Sequence, residues 1–148
     1  MTVRAYWGFL YFCQMDSNVN LITDVIKGGI PGLKGIYLFG SRAENTAKAD
    51  SDYDLAFLAP GHPLDDQALY QLRLRLASRL DADVDLIDLE QASTVLQFQI
   101  VAKGIRVFSD DDLFCDTFDL FVFASYQHLN EGQQEILQDI YQRGRVYA

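Results

Sequence analysis

The chain has 148 residues, 49% of them hydrophobic and 22% charged, enough for one sizeable core and too few for two. Its formal net charge of −9 argues against a polynucleotide as the main substrate, because nucleic-acid binding normally draws on Lys and Arg to neutralise phosphates. A basic protein partner fits that balance better, and plain solubility fits it equally.

The chain opens with an aromatic and apolar run, Ala5 to Met15, that is too short to span a bilayer and lacks a small-residue cleavage site. It is therefore read as neither signal nor anchor. Residues 1–14 form an expected mis-assigned extension ahead of Met15, with an extra packing segment as the alternative, and 15–148 form one domain. Asn18 is expected to cap a helix carrying Leu21, Ile22, Val25 and Ile26 on one face and ended by Gly28, Gly29 and Pro31. Gly35 to Phe39 reads as a buried strand. A brief helical turn, Arg42 to Glu44, should follow and end at Asn45, and a polar loop then leads into a second strand, Asp52 to Ala59.

In that strand Asp52, Asp54, Ala56 and Leu58 share one face, and Tyr53, Leu55 and Phe57 share the other. The sheet is expected to be covered by helices on one side and catalytic on the other. After Pro60-Gly61, Leu69, Leu72, Leu76 and Leu80 give helical spacing to Leu64–Leu80, and a third strand runs from Asp83 to Leu89. Ser93 should start a helix that Gly104 stops, and Ile105 to Phe108 make a short last strand. Residues 110–147 are helical in composition, with Gly132 and Gly144 as expected interruptions.

The chemistry lies in the pattern G-S-x10-D-x-D formed by Gly40-Ser41 and Asp52-Tyr53-Asp54. A strand that stops abruptly at Gly-Ser leaves the next segment to open as a helix, with backbone N–H groups facing a phosphate. Carboxylates two apart on a strand share a face roughly 6.5–7 Å apart, suited to a pair of Mg2+ ions about 3.5–4 Å apart. A third carboxylate is needed to hold the second ion and to activate an acceptor hydroxyl. Asp85 is the candidate, with Asp83 on the same face as its competitor and Asp88 facing away. D-x-D alone is weak evidence; strand-Gly-Ser at this spacing and an acidic strand behind it make the combination specific.

Gly40-Ser41-Arg42, Ser51-Asp52-Tyr53-Asp54-Leu55 and Val84-Asp85-Leu86-Ile87-Asp88-Leu89 resemble the core motifs of the polymerase-beta-type nucleotidyltransferase superfamily, most closely its minimal nucleotidyltransferases. The resemblance covers roughly residues 16–108, with further similarity around Tyr126-Gln127-His128-Leu129 and a helical region over about 110–148. It implies an α/β (α+β) fold: a small mixed β-sheet backed by helices. It also implies ATP as donor, two Mg2+ ions, and transfer of a nucleoside monophosphate with release of pyrophosphate. Asp52, Asp54 and Asp85 match the metal-binding and catalytic carboxylates, and Gly40, Ser41 and Arg42 the nucleotide-binding residues.

Members of the family act as antitoxins, adding AMP to a tyrosine of a HEPN-domain RNase toxin, so the resemblance implies an antitoxin in a hetero-oligomer with its toxin; Cys13 and Cys115 form neither a metal-ligand spacing nor a disulfide framework, so a reduced, cytoplasmic protein is expected. The net charge and the short apolar run lead us to expect no direct nucleic-acid substrate and no membrane. The alternatives are a stoichiometric, non-catalytic blocker and an enzyme acting on a small-molecule hydroxyl. Two positions depart from the family's pattern. Asn45 stands where Gly is frequent, and Tyr53 replaces an aliphatic residue, so its ring must be buried or its hydroxyl find a polar partner. Leu113, Phe114, Phe118, Phe121 and Phe123 form an aromatic stripe fit for core or interface, with Tyr126 and His128 beside it. His62 and His128 are assigned no catalytic role.

Overall fold

In a computed structural model of the chain, residues 16–44, 52–61 and 64–143 are described. The expectations for residues 1–14, His62, Asn45 and Gly144 lie outside them. Four strands, β1 (Gly35–Phe39), β2 (Tyr53–Leu58), β3 (Val84–Asp88) and β4 (Ile105–Ser109), form one sheet in the order β3-β2-β1-β4. β1 is antiparallel to β2 and β4, and β2 is parallel to β3. Among the described residues four α-helices accompany it: α1 (Asp16–Gly29), α2 (Asp66–Leu80), α3 (Thr94–Lys103) and α4 (Asp112–Arg143).

The alternation of β2 sorts its side chains between two cores. Tyr53, Leu55 and Phe57 join Ile36 and Leu38 under Ile22 and Ile26 of α1 and Leu72 and Leu76 of α2. Tyr37 and Ala56 pack on the opposite face with Ile100 and Val101 of α3 and Val122 of α4. Both faces of the sheet are thus covered, which corrects the expectation of one open, catalytic face. Only the first row of the acid-bearing face carries carboxylates; one row further in, Ala56 is small enough for α3 and α4 to close over it.

The helix ends follow local chemistry. Asp65 caps α2 by accepting from Ala68 N at 2.7 Å, and Ser93 caps α3 by accepting from Leu96 N at 3.2 Å. Asp81 ends α2 in the left-handed conformation, φ 52°. α1 starts at Asp16, two residues before the expected cap: Asn18 lies inside the helix and its amide donates to the Tyr53 hydroxyl. α4 runs without a break through Gly132, correcting the expected interruption; a glycine in a long helix costs only about 1 kcal/mol, less than breaking it would.

A polar network ties α4 to the sheet. Tyr37 of β1 donates to Asp119 at 2.7 Å, and Arg106 of β4 pairs with Asp119 at 2.6 Å and Asp116 at 2.9 Å. The expected aromatic stripe is split along α4. Phe118 packs against the α3–α4 core, Phe114 is half-buried, and Leu113, Phe121 and Phe123 are exposed. Tyr126 stacks on Phe98 of α3 with ring centroids 3.8 Å apart. Cys115 is buried and unpaired, its thiol 3.4 Å from the Lys34 carbonyl. Among the described residues no helix is long and apolar enough to cross a membrane.

Candidate active site

β1 ends, and β2 and β3 begin, at the same end of the sheet, so the Gly40 turn and the acids at 52, 54 and 85 meet there. The parallel register sets Asp54 directly beside Asp85 on β3, while the antiparallel register sets Phe39 beside Asp54 on the other flank. Asp52 lies one residue ahead of β2 and is exposed. Burial, then the charges of Asp85 and Asp52, push the Asp54 carboxyl above its ordinary value. Asp83 falls outside β3 and is exposed; its backbone carbonyl accepts from Tyr53 N at 2.9 Å. The register therefore brings Asp85, not Asp83, level with Asp54. Asp88, at the far end of β3, caps the following turn through Glu90 N.

Gly40 is where the turn meets the acid strand. It has φ +74°, and an added Cβ would overlap Asp54 Oδ2. Conformation and close approach independently demand glycine. Gly40, Ser41 and Arg42 form a single 3₁₀ turn, with Ala43 N and Glu44 N both donating to Gly40 O at 3.1 Å. The expected brief helical turn after Ser41 is a 3₁₀ turn that begins at Gly40 rather than Arg42.

The side of the turn away from Asp54 carries two contacts that sequence reasoning missed. The Arg42 guanidinium carbon lies 3.8 Å from the centroid of the Tyr53 ring, and the Tyr53 hydroxyl accepts from Asn18 Nδ2 at 2.9 Å. Tyr53 is 3% exposed. Its unusual size between the two aspartates signals that something must pack there, but the partners come from distant segments. Both requirements placed on that ring, burial and a polar partner for its hydroxyl, are met. His128 is exposed on α4, away from these contacts.

A sheet end of this construction is that of the enzymes that move nucleotidyl groups. Residues 20–113 match the model of the polymerase beta nucleotidyltransferase family, and the chain belongs to that family. It is 42% identical over 126 residues to the protein adenylyltransferase MntA of Shewanella oneidensis, covering 83% of this chain and 87% of that protein. It is similar to a chain of a toxin–antitoxin crystal structure with AMP-PNP: 40% identity, TM-score 0.75, 84% of this chain and 98% of the other. A chain from the complex of tri-AMPylated Shewanella oneidensis HEPN toxin with MNT antitoxin shows 38% identity and a TM-score of 0.71, over 86% and 98% of the two chains.

Proposed function

We propose that this protein is an antitoxin that transfers AMP from ATP to a tyrosine hydroxyl of a cognate HEPN toxin, using two Mg2+ ions. The observation that carries the reading is the alignment of Asp54 with Asp85 across β2 and β3, with the Gly40 turn packed against the same carboxyl. The similarity to an adenylyltransferase and to toxin–antitoxin chains supports the choice of donor and acceptor.

The donor set suits Mg2+. Asp54 holds its proton unusually well because it is partly buried beside two like charges, and the same field favours a cation. Mg2+ takes one or two carboxylates and completes its shell with substrate phosphates and water. Asp52, Asp54 and Asp85 would hold the ions, which supply charge stabilisation to the phosphates. Gly40, Ser41 and Arg42 bind the triphosphate. Asp85, the more exposed partner of the aligned pair, accepts the proton of the incoming tyrosine hydroxyl. The tyrosine oxygen attacks the α-phosphorus in line, and the bond to the bridging oxygen breaks to release pyrophosphate.

An acceptor that is itself a protein suits the architecture. Most of the described chain is sheet and covering helix, and the exposed Leu113, Leu120 and Phe121 of α4 suit contact with a protein surface. The test is the intact mass of the cognate toxin after incubation with the chain, ATP and Mg2+, beside an Asp52→Asn/Asp54→Asn control. Gain of whole AMP units with the unmodified chain only is the expected result. A stable complex with no mass gain would replace the catalytic reading with stoichiometric blocking.

A further inference from the structure

α3 ends at the acid-bearing end of the sheet. The chain leaves the helix at Lys103, turns at Gly104 and enters β4 at Ile105, which pairs with Leu38 near the end of β1. Gly104 holds that helix end close to the sheet: an added Cβ would overlap the Ile100 carbonyl oxygen and lie 2.9 Å from that of Leu38. Lys103, exposed in the last turn of α3, is thereby fixed beside the strand end that leads into Gly40 and that pairs, through Phe39, with Asp54. We propose that Lys103 is a triphosphate-binding residue, its ammonium group pairing with the β- and γ-phosphates of ATP on the face of the sheet that carries Asp54 and Asp85. The proposal rests on the reading of this sheet end as the ATP site.

The helical period places Lys103 on the flank of α3 nearer the acids. Gln97, Ile100 and Val101 form the buried row of the helix. On one side of that row Phe98 stacks on Tyr126 and meets the Phe123 ring edge-on, so α4 lies there. α4 is in turn tied to β1 and β4, through Asp119 to Tyr37 and Arg106. Leu96 and Lys103, seven residues apart and hence on one stripe, form the opposite flank, away from β4 and towards β2 and β3. Leu96 and Ile87 of β3 accordingly pack on the same core. Two turns further on, at the end where β2 and β3 carry Asp54 and Asp85, the same stripe carries Lys103.

Charge gives this position a purpose. Two Mg2+ ions offset a triphosphate and leave the charge of Asp52, Asp54 and Asp85 over, and cleavage at the α-phosphorus moves further negative charge onto the departing pyrophosphate. Arg42, the cation of the Gly40 turn, has its guanidinium 3.8 Å from the centroid of the Tyr53 ring, and Tyr53 belongs to the core on the α1–α2 side of β2. On the acid side the cation comes from α3. A lysine suits the task as a compact point charge on a flexible four-carbon stem, able to follow phosphate oxygens as the bond breaks. A lysine serving only the carbonyl end of its own helix would affect stability slightly and nucleotide binding not at all.

The test is the dissociation constant of Mg2+–AMP-PNP on the whole chain, which needs no acceptor. Lys103→Met is expected to raise it by about 3- to 30-fold, Lys103→Glu by more, and Lys103→Arg to stay within about threefold of the wild type. Lys34→Met removes the same charge at the far end of β1, where Lys34 pairs with Asp111 at 3.8 Å, and should change the constant less than twofold. Thermal melts establish that each variant is folded, as expected for an exposed helix end.

If Lys103→Met binds AMP-PNP as the wild type does, or loses no more than Lys34→Met, the role of Lys103 is overturned. Loss of binding in the Asp52→Asn/Asp54→Asn protein would then leave the ATP site standing without it. If the wild type itself does not bind Mg2+–AMP-PNP, the reading of this sheet end falls and the role of Lys103 falls with it.

Discussion

The Tyr37 hydroxyl donates a 2.7 Å hydrogen bond to Asp119, joining β1, the strand that leads into the Gly40 turn, to the N-terminal part of α4. Burial first, and then this bond, hold the Tyr37 phenol above its usual range, so it remains a neutral donor at physiological pH. Arg106 shares the same carboxylate at 2.6 Å. Tyr37→Phe is expected to lower unfolding free energy by about 1–2 kcal/mol, because the acceptor keeps its arginine. Asp119→Ala leaves the phenol without its acceptor and Arg106 with Asp116 alone, and should cost about 2–4 kcal/mol. Urea unfolding monitored by circular dichroism measures both; a loss from Asp119→Ala no larger than that from Tyr37→Phe would mean that the Arg106–Asp119 pair adds no stability.

Gly40→Ala combines a strained left-handed conformation with an overlap at Asp54 Oδ2. The turn is partly exposed, so the chain should still fold, with a stability loss of about 1–2 kcal/mol. Displacing a carboxylate proposed to hold the metal ions should cost far more in rate, with adenylyl transfer falling by about 10²-fold. Steady-state kinetics beside a thermal melt separates the two effects.

Asp54 gives a pH signature of defined sign. Burial, with Asp85 and Asp52, raises its folded value above the ordinary 3.8. A carboxyl that holds its proton more tightly folded than unfolded contributes stability fully present below the ordinary value, which is lost as pH rises through the folded value. In ion-free protein at pH 7, Asp54→Asn should therefore raise Tm, with the difference shrinking towards pH 4, and it should abolish transfer once ATP and Mg2+ are supplied. Adding Mg2+ with AMP-PNP should raise the Tm of the wild type and leave that of the variant nearly unmoved.

Gly132 lies within α4, and a Cβ added there meets nothing within 4 Å. Gly132→Ala should stabilise the protein by about 0.5–1 kcal/mol by reducing the freedom of the unfolded chain. An unchanged or lower denaturant midpoint would count against helical conformation at this position.

What was legible in the sequence had a local cause. β1 announced itself as an apolar run between glycines, and α3 by Ser93 at its start and Gly104 at its end. Asp52 and Asp54 stood out by alternation, and Gly40 by the abrupt end of a strand. What was not legible depends on partners distant in the chain. The level placement of Asp54 and Asp85 follows from a parallel register across the α2 crossover. Asn18 looked like a helix cap, since its tertiary partner, the Tyr53 hydroxyl, lies 35 residues away. The second helical layer was missed because the acids at 52 and 54 suggested an open face, whereas Ala56 and Tyr37 close it one row further in. Arg42 was legible as part of a motif, and its contact with the Tyr53 ring was not.

The strand order β3-β2-β1-β4 sets a timetable for synthesis. β1, β2 and β3 precede α3, β4 and α4 along the chain, so the Gly40 turn and all three acids are made before the second helical layer. Until Ile105–Ser109 arrive, β1 has one edge without a neighbour and Tyr37 lacks Arg106 and Asp119. A chain cut short after β3 therefore carries every acid proposed for the chemistry beside an open strand edge, a template for pairing with other chains. Completion of β4 closes that edge, so the last third of the chain protects a site to which it contributes none of the acids.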